Sequence, residues 1–208
     1  IEPGTRADNT YPPTPITVVA PFSDFTVEVV TAPEAALSGT LIEIGWRVRN
    51  AGDTTAAGSW RDKVVLSQDG VFDNTDVALT LVNPDGTTNA SGTVNRSGPL
   101  APDGTYSVRS MFRLPFELTG TWRVLVKTDI DASVYEGPRT GNNTGIAAAP
   151  LVVSPAPSAN LVASAIVSPS IALAGGKVSV DWTITNGGEA DALGPWVDYV
   201  YYSSNGLL

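Results

Sequence analysis

Apolar and polar positions alternate with a period of two along much of this chain, and no stretch shows the 3.6-residue period of an amphipathic helix. Phe25, Val27 and Val29 open the pattern on one face of a first strand. Ile42, Ile44, Trp46 and Val48 follow, interleaved with Glu43, Arg47 and Arg49. Further strands are expected over 61–67, 77–82, 104–113, 121–128 and 146–153, with Trp122, Val124 and Val126 sharing an inward face. Between them lie turn-forming clusters such as Asn50-Ala51-Gly52-Asp53, Asn83-Pro84-Asp85-Gly86 and Ala101-Pro102-Asp103-Gly104, whose residues tolerate tight or left-handed backbone. Seven short strands with such punctuation predict an all-β, immunoglobulin-like sandwich. The polar stretch 83–99 is expected to be mobile or to carry an extra hairpin.

The same pattern recurs. Shifted by 136 places, residues 24–70 align with 160–206 without a gap, with fourteen identities in forty-seven positions. Trp46 falls on Trp182, Asn50 on Asn186, Gly52 on Gly188, Trp60 on Trp196, Asp62 on Asp198 and Ser67 on Ser203. A weaker match at a shift of 134 sets Glu2 on Glu136, Asp8-Asn9-Thr10 on Asn142-Asn143-Thr144, and Val18-Val19 on Val152-Val153. The expected organisation is therefore a tandem repeat: 1–19 as the last strand of a preceding copy, 22–154 as a complete one, and 159–208 as the first part of a following, truncated one. A third of a sandwich cannot bury its apolar face alone, so 159–208 is expected to be poorly stable by itself and its parent to be longer. Pro-bearing linkers, Ala20-Pro21-Phe22-Ser23 and Ser154-Pro155-Ala156-Pro157-Ser158, act as semi-rigid spacers between copies.

Composition narrows the function. Twenty Gly and sixteen Pro fit a turn-rich β protein. A net charge of -9 lacks the basic stripe that phosphate binding needs, so nucleic acid drops out as a partner. Zero Cys and zero His remove Cys nucleophiles, Ser-His-Asp triads and thiolate or imidazole zinc sites. Residues 140–176 carry no charge, but Pro150, Pro155, Pro157 and Pro169 interrupt any apolar helix there, and no membrane insertion of this segment is expected.

Two acidic constellations are the candidate chemistry. The first is Asp69, Asp73, Asn74 and Asp76, after the third strand; the second is Asp129, Asp131, Glu136 and Asn142, with Asn143 beside it, before the last. Hard oxygen ligands at short spacing suit Ca2+, although neither matches an EF-hand loop, and Asx turns are the favoured account of the first set. The two loops are expected at opposite poles of a sandwich. Acidic loops of neighbouring copies meeting at a junction would repel unless a cation lay between them. Asp129 and Asp131 lack the deep cleft that glycosidase chemistry needs. Trp46, Trp122, Trp182 and the run from Trp196 through Tyr199, Tyr201 and Tyr202 read as strand core rather than a sugar platform. A buried Asp62 needs a partner, and Arg47 or Arg61 is the expected one.

The order Trp60-x-Asp62-x-Val64-x-x-Ser67-x-Asp69-Gly70, then Leu100 to Gly104 with Tyr106, then Gly120-Thr121-Trp122, then Asn142-Asn143, resembles CARDB, the cell-adhesion-related domain of bacterial envelope and secreted proteins. The resemblance covers 24–154 fully and 1–19 and 160–208 in part, and the lengthened 83–99 segment departs from it. It implies an exported bacterial module at the cell surface, immunoglobulin-like and often in tandem. The function expected is non-catalytic: a stalk, filament or adhesin whose partners are neighbouring repeats of the same chain, other copies in a filament or surface layer, and surface proteins or glycans. The alternative is an accessory module, spacer or glycan-binding, of a large secreted hydrolase.

Overall fold

The computed structural model describes residues 12–18 and 20–207, so the expected N-terminal strand at 1–19, with Glu2, Asp8 and Asn9, lies largely outside the described residues. Residues 12–18 run without regular structure, with Ile16 and Val18 exposed. The chain divides into two units at Ser154/Pro155. No helix is long and apolar enough to cross a membrane among the described residues.

In the first unit the strands are β1 (Phe25–Thr31), β2 (Ala35–Leu37), β3 (Leu41–Asn50), β4 (Ser59–Ser67), β5 (Val77–Ala78), β6 (Thr80–Val82), β7 (Thr88–Asn89), β8 (Thr93–Ser97), β9 (Thr105–Arg113), β10 (Gly120–Lys127), β11 (Thr144–Ile146) and β12 (Leu151–Ser154). One sheet runs β1-β3-β9-β6-β7; the other runs β2-β12-β10-β4-β5, with β11 on β10 and β8 on β4. Their inner faces share one core, to which β1 and β3 bring Phe25, Val27, Ile44, Trp46 and Val48, and β4 and β10 bring Trp60, Val64, Leu66, Val124 and Val126. This is the arrangement of a β-sandwich.

The period-two reading holds for β3 and β10, whose predicted inward residues are all buried. It fails in β1. The pairing slips between Val27 and Val29, so one extra residue turns the strand over: Val29 is exposed and Val30 takes the buried place. A bulge has that effect because it reverses the side-chain phase. The expected strand 77–82 is two. Val77–Ala78 pairs with β4 in one sheet, Thr80–Val82 pairs with β9 in the other, and Leu79 is fully buried between them. The expected strand 146–153 is also two, both on the same edge of β10, separated by a segment containing Pro150, which cannot donate to a ladder. The 83–99 segment forms the β6–β7 hairpin and then β8, which lies antiparallel along β4. β2 was not legible; it pairs in parallel with β12.

Asn50 at the end of β3 ties three segments together. Its Oδ1 accepts the N–H groups of Asp24 (3.0 Å) and Gly52 (3.1 Å), and its Nδ2 donates to the carbonyls of Thr54 (2.8 Å) and Leu100 (3.0 Å). A Cβ on Gly52 would collide with the backbone of Phe22, Ser23 and Asp24. Gly52→Ala is therefore expected to cost about 1–3 kcal/mol through forced backbone displacement, read as a lower urea midpoint with the slope unchanged.

The second unit pairs β13 (Leu161–Val167) with β14 (Asp181–Asn186). Its local geometry repeats that of the first unit 136 residues on. Asn186 Oδ1 accepts from Asn160 N (2.9 Å) and Gly188 N (3.0 Å), and Asn186 Nδ2 donates to Ala190 O (2.8 Å). Trp182 Nε1 donates to Asp198 as Trp46 Nε1 does to Asp62, and Ser203 Oγ donates to Asn205 as Ser67 Oγ does to Asp69. The expectation that its aromatics are core is not met. Trp182 is 39% exposed, Trp196 53% and Tyr202 fully so, because no second sheet faces this hairpin among the described residues.

Candidate functional site

The two acidic loops depart from opposite ends of their strands. β4 and β10 are antiparallel, with Ser67 opposite Arg123 and Lys63 opposite Lys127, so the 69–76 loop leaves at one end and the 129–143 loop at the other. In the 69–76 loop each acidic side chain is bound to its own turn. Asp69 Oδ1 accepts from Val71 N (2.8 Å) and Ser67 Oγ (2.9 Å), and these donors hold its carboxyl below the usual range. Asp73 Oδ1 accepts both the N–H (2.8 Å) and the hydroxyl (2.7 Å) of Thr75, while Asp76 Oδ2 accepts from Asp73 N (3.0 Å). The Asp69–Val71 and Asp73–Thr75 bonds are Asx turns. Asn74 is exposed. The Phe72 ring lies 5.3 Å from Lys127 Nζ, so the loop folds back beside β10.

The second loop is built inward. Asp129, buried and in a left-handed conformation (φ 46°), accepts from Ser133 N (2.9 Å) and Val134 N (3.0 Å). Glu136, 3% exposed, binds the backbone of another element: its Oε2 accepts from Phe25 N (2.7 Å) and its Oε1 from Asn143 Nδ2 (2.6 Å). Asn142 Nδ2 donates to Asp24 Oδ1 (2.7 Å) and Thr26 Oγ1 (3.0 Å). The loop thereby clamps the start of β1. Burial pushes the Glu136 carboxyl up, against the two donors that favour its charge and together with the nearby Asp129 and Asp24 carboxylates. Asp131 stands apart, on the surface, in a two-pronged contact with Arg61 (2.6 Å each) that lowers its carboxyl.

The carboxylates of both loops thus accept N–H or hydroxyl donors of the chain, and no group of three or more Asp or Glu side chains is gathered for a metal among the described residues. Unfolding with and without a chelator tests Ca2+ at these loops: a ligand of the folded state alone raises the midpoint, so a midpoint that climbs with added Ca2+ would place a cation here and an unchanged one would remove it.

A third cluster lies inside the sandwich. Asp62, at an inward position of β4, is completely buried. Its Oδ2 accepts from Trp46 Nε1 (2.8 Å), its Oδ1 from Thr128 Oγ1 (2.7 Å), and the Tyr106 hydroxyl lies 2.9 Å from both oxygens. Trp60 Nε1 in turn donates to Tyr106 OH (3.1 Å), and the Arg96 guanidinium covers the Tyr106 ring at 4.3 Å. The partners expected from sequence are not used: Arg47 pairs with Glu28 and Arg61 with Asp131. Burial pushes the Asp62 carboxyl up, opposed by Trp46, Thr128 and Tyr106 as donors and by the Arg96 charge. Burial, then the Asp62 charge, push the Tyr106 phenol up as well. The network joins β3, β4, β9 and the end of β10. Tyr106 stood in the sequence pattern without an assigned role; Thr128 carried no signal.

Residues 22–146 match the family model of CARDB. Among solved structures, the chain is similar to the CARDB domain of a Pyrococcus furiosus protein, crystallised in complex with di-metal ions, at 18% identity over 65% of this chain and 97% of that one, with a TM-score of 0.42. A solution structure of the same Pyrococcus furiosus domain is 19% identical over 64% and 95%, with a TM-score of 0.41. A β-glucosidase from Listeria innocua is 12% identical over 63% of this chain and 16% of that one, with a TM-score of 0.37. No curated protein matches.

Proposed function

Because the chain belongs to the CARDB family, a family of non-catalytic modules, we propose that it serves as a structural and adhesive repeat of a larger bacterial surface protein, one complete immunoglobulin-like copy flanked by partial ones within a stalk, filament or adhesin. The observation that carries this reading is the recurrence of one set of polar anchors 136 residues apart: the Asn50 and Asn186 clamps, the Trp46–Asp62 and Trp182–Asp198 pairs, and the Ser67–Asp69 and Ser203–Asn205 turns. Conserving side chains that fix backbone, rather than side chains that line a cleft, is what serial scaffolding requires. Buried Asp62 and Glu136 fit it too, since both are occupied by donors from other strands. Partners are then neighbouring repeats, further copies, and surface proteins or glycans.

Protease treatment of intact cells tests the location. Fragments carrying this sequence are expected in the supernatant before lysis. Release only after lysis would overturn the surface reading.

A further inference from the structure

The outward faces of the two sheets of the first unit differ in charge. On the sheet of β1, β3 and β9, Arg47, Arg49 and Arg109 each hold a carboxylate, from Glu28, Asp103 and Glu43 respectively. On the other sheet, the outward positions of β4 and β10 carry Arg61, Lys63, Arg123 and Lys127 and no acid. Arg61 is answered by Asp131 from the 129–143 loop. Lys63 and Lys127 stand directly opposite one another, and neither has a carboxylate partner among the described residues. Lys127 meets the Phe72 ring, whose loop spends its carboxylates on its own N–H and hydroxyl groups. Like charges directly opposite destabilise a sheet, so the pairing of β4 with β10 does not account for two lysines at this place. An anion between them would turn the repulsion into attraction.

Beside this pair, a groove of about 470 Å³ runs at the start of β4, where β8 and the 129–143 loop flank that strand. Its walls carry Ser59, Asn95, Ser97 and Ser133 around the Arg61–Asp131 contact, and all four are exposed with side chains that bond to no other group among the described residues. Hydroxyls and an amide that both donate and accept, set around a carboxylate and a guanidinium, match the hydroxyls of a sugar ring. An acidic peptide would satisfy the lysines and leave these groups unused. Arg61 and Lys63 are two positions apart on one face, a distance of about 6.5–7 Å, so a chain with one ring in the groove brings the anionic group of the next ring to the lysine pair.

We propose that the outward face of β4, with β8 and β10 beside it, binds an acidic polysaccharide: the groove takes a sugar ring through hydroxyl and amide contacts, and Lys63 and Lys127 together take a carboxylate or sulfate of the same chain. This deepens the adhesive reading above and rests on it for where such a chain is met. Isothermal titration of the 208-residue chain with polygalacturonate, dextran sulfate, dextran and polyglutamate reads the binding. At least one charged sugar polymer should bind, more weakly as salt is added, and the tighter of the two identifies the anion. Dextran and polyglutamate, each lacking half of what is recognised, should bind at least about tenfold more weakly. The double variant Lys63→Gln, Lys127→Gln should lose at least about tenfold in affinity, as for one charge-assisted hydrogen bond. Its unfolding midpoint should stay at or above the parent's, because two like charges are parted. Asn95→Ala should weaken the charged sugar polymer by about threefold, as for one neutral hydrogen bond, and Arg109→Gln, on the other sheet, should change nothing. Polyglutamate as tight as the charged sugar polymers would make an acidic peptide the ligand and overturn the proposal, and dextran as tight as they are would overturn the role of the lysines. An equal loss in Arg109→Gln would reduce the binding to diffuse charge and overturn the site, as would the absence of binding. Each of these failures leaves the surface location standing, since the protease test reads that alone.

Discussion

Asp62→Ala is expected to destabilise the first unit by about 3–5 kcal/mol, since it leaves the Trp46, Tyr106 and Thr128 donors buried without an acceptor, at about 1–3 kcal/mol for each unmade bond and with partial relaxation. For a unit of this size that is a fall in unfolding temperature of about 10–15 °C. Asp62→Asn should lose much less: its carbonyl keeps Trp46 and Tyr106 as donors, and its amide can donate to Thr128 Oγ1. The pH dependence separates this network from simple cavity formation. Burial raises the Asp62 carboxyl in the folded state, so the folded protein binds a proton more tightly than the unfolded chain. Its contribution is fully present below the ordinary carboxylate range and is lost as pH rises through the raised value. Wild-type stability is therefore expected to increase on mild acidification from neutrality, and the Asp62→Ala variant to show a smaller increase. Urea melts at neutral and mildly acidic pH measure both quantities, and an alanine variant with the parent's midpoint would remove the network from the account of stability.

Glu136→Ala should cost about 2–4 kcal/mol, by orphaning Phe25 N and Asn143 Nδ2 in a buried place. Glu136→Gln makes the sharper prediction. Asn143 Oδ1 is a buried oxygen with no hydrogen-bond partner. A glutamine keeps one acceptor for Phe25 N, while a turn of the Asn143 amide offers that oxygen to the new side-chain N–H. The substitution also removes a carboxyl whose charge is disfavoured by burial and by Asp129 and Asp24. Glu136→Gln is thus expected to match or exceed wild-type stability at neutral pH and to weaken the gain on acidification. A loss as large as alanine's would mean that the charge itself holds β1 in place. At the opposite sign, Asp131, lowered by Arg61, contributes above the ordinary carboxylate range and fades below it; being exposed, it is a minor partner in the profile.

Much of the architecture was readable because it follows from a period of two and a shift of 136. Trp46 and Val48 inward, Arg47 and Arg49 outward, and Trp182 as the image of Trp46 all come from those two facts. What escaped depends on chain segments far apart. The bulge in β1 is one residue that leaves the composition of the strand unchanged, and the change of sheet at Leu79 is set by where two separate strands await it. Asp62 shows the limit and a missed opportunity. Its donors come from strands 16, 44 and 66 residues away, beyond any local pattern, yet the strand period alone excludes Arg61, which must point to the opposite face from its neighbour Asp62. The acidic loops looked like ligand sets because carboxylates and amides at short spacing suit a cation and a turn alike. In the structure the N–H groups of Val71, Thr75, Ser133 and Phe25 engage these carboxylates, which no local spacing shows.

The parallel pairing of β2 with β12 has a mechanical consequence. Ser154 ends the first unit, and the bonds from Val152 N to Glu34 O and from Ser38 N to Ser154 O tie that end to a segment only a few residues beyond β1. A pull along the chain draws β12 lengthwise past β2, so these bonds are loaded together in shear instead of parting one after another as in an unzipping hairpin. Bonds that must break together resist tension far better than their number suggests.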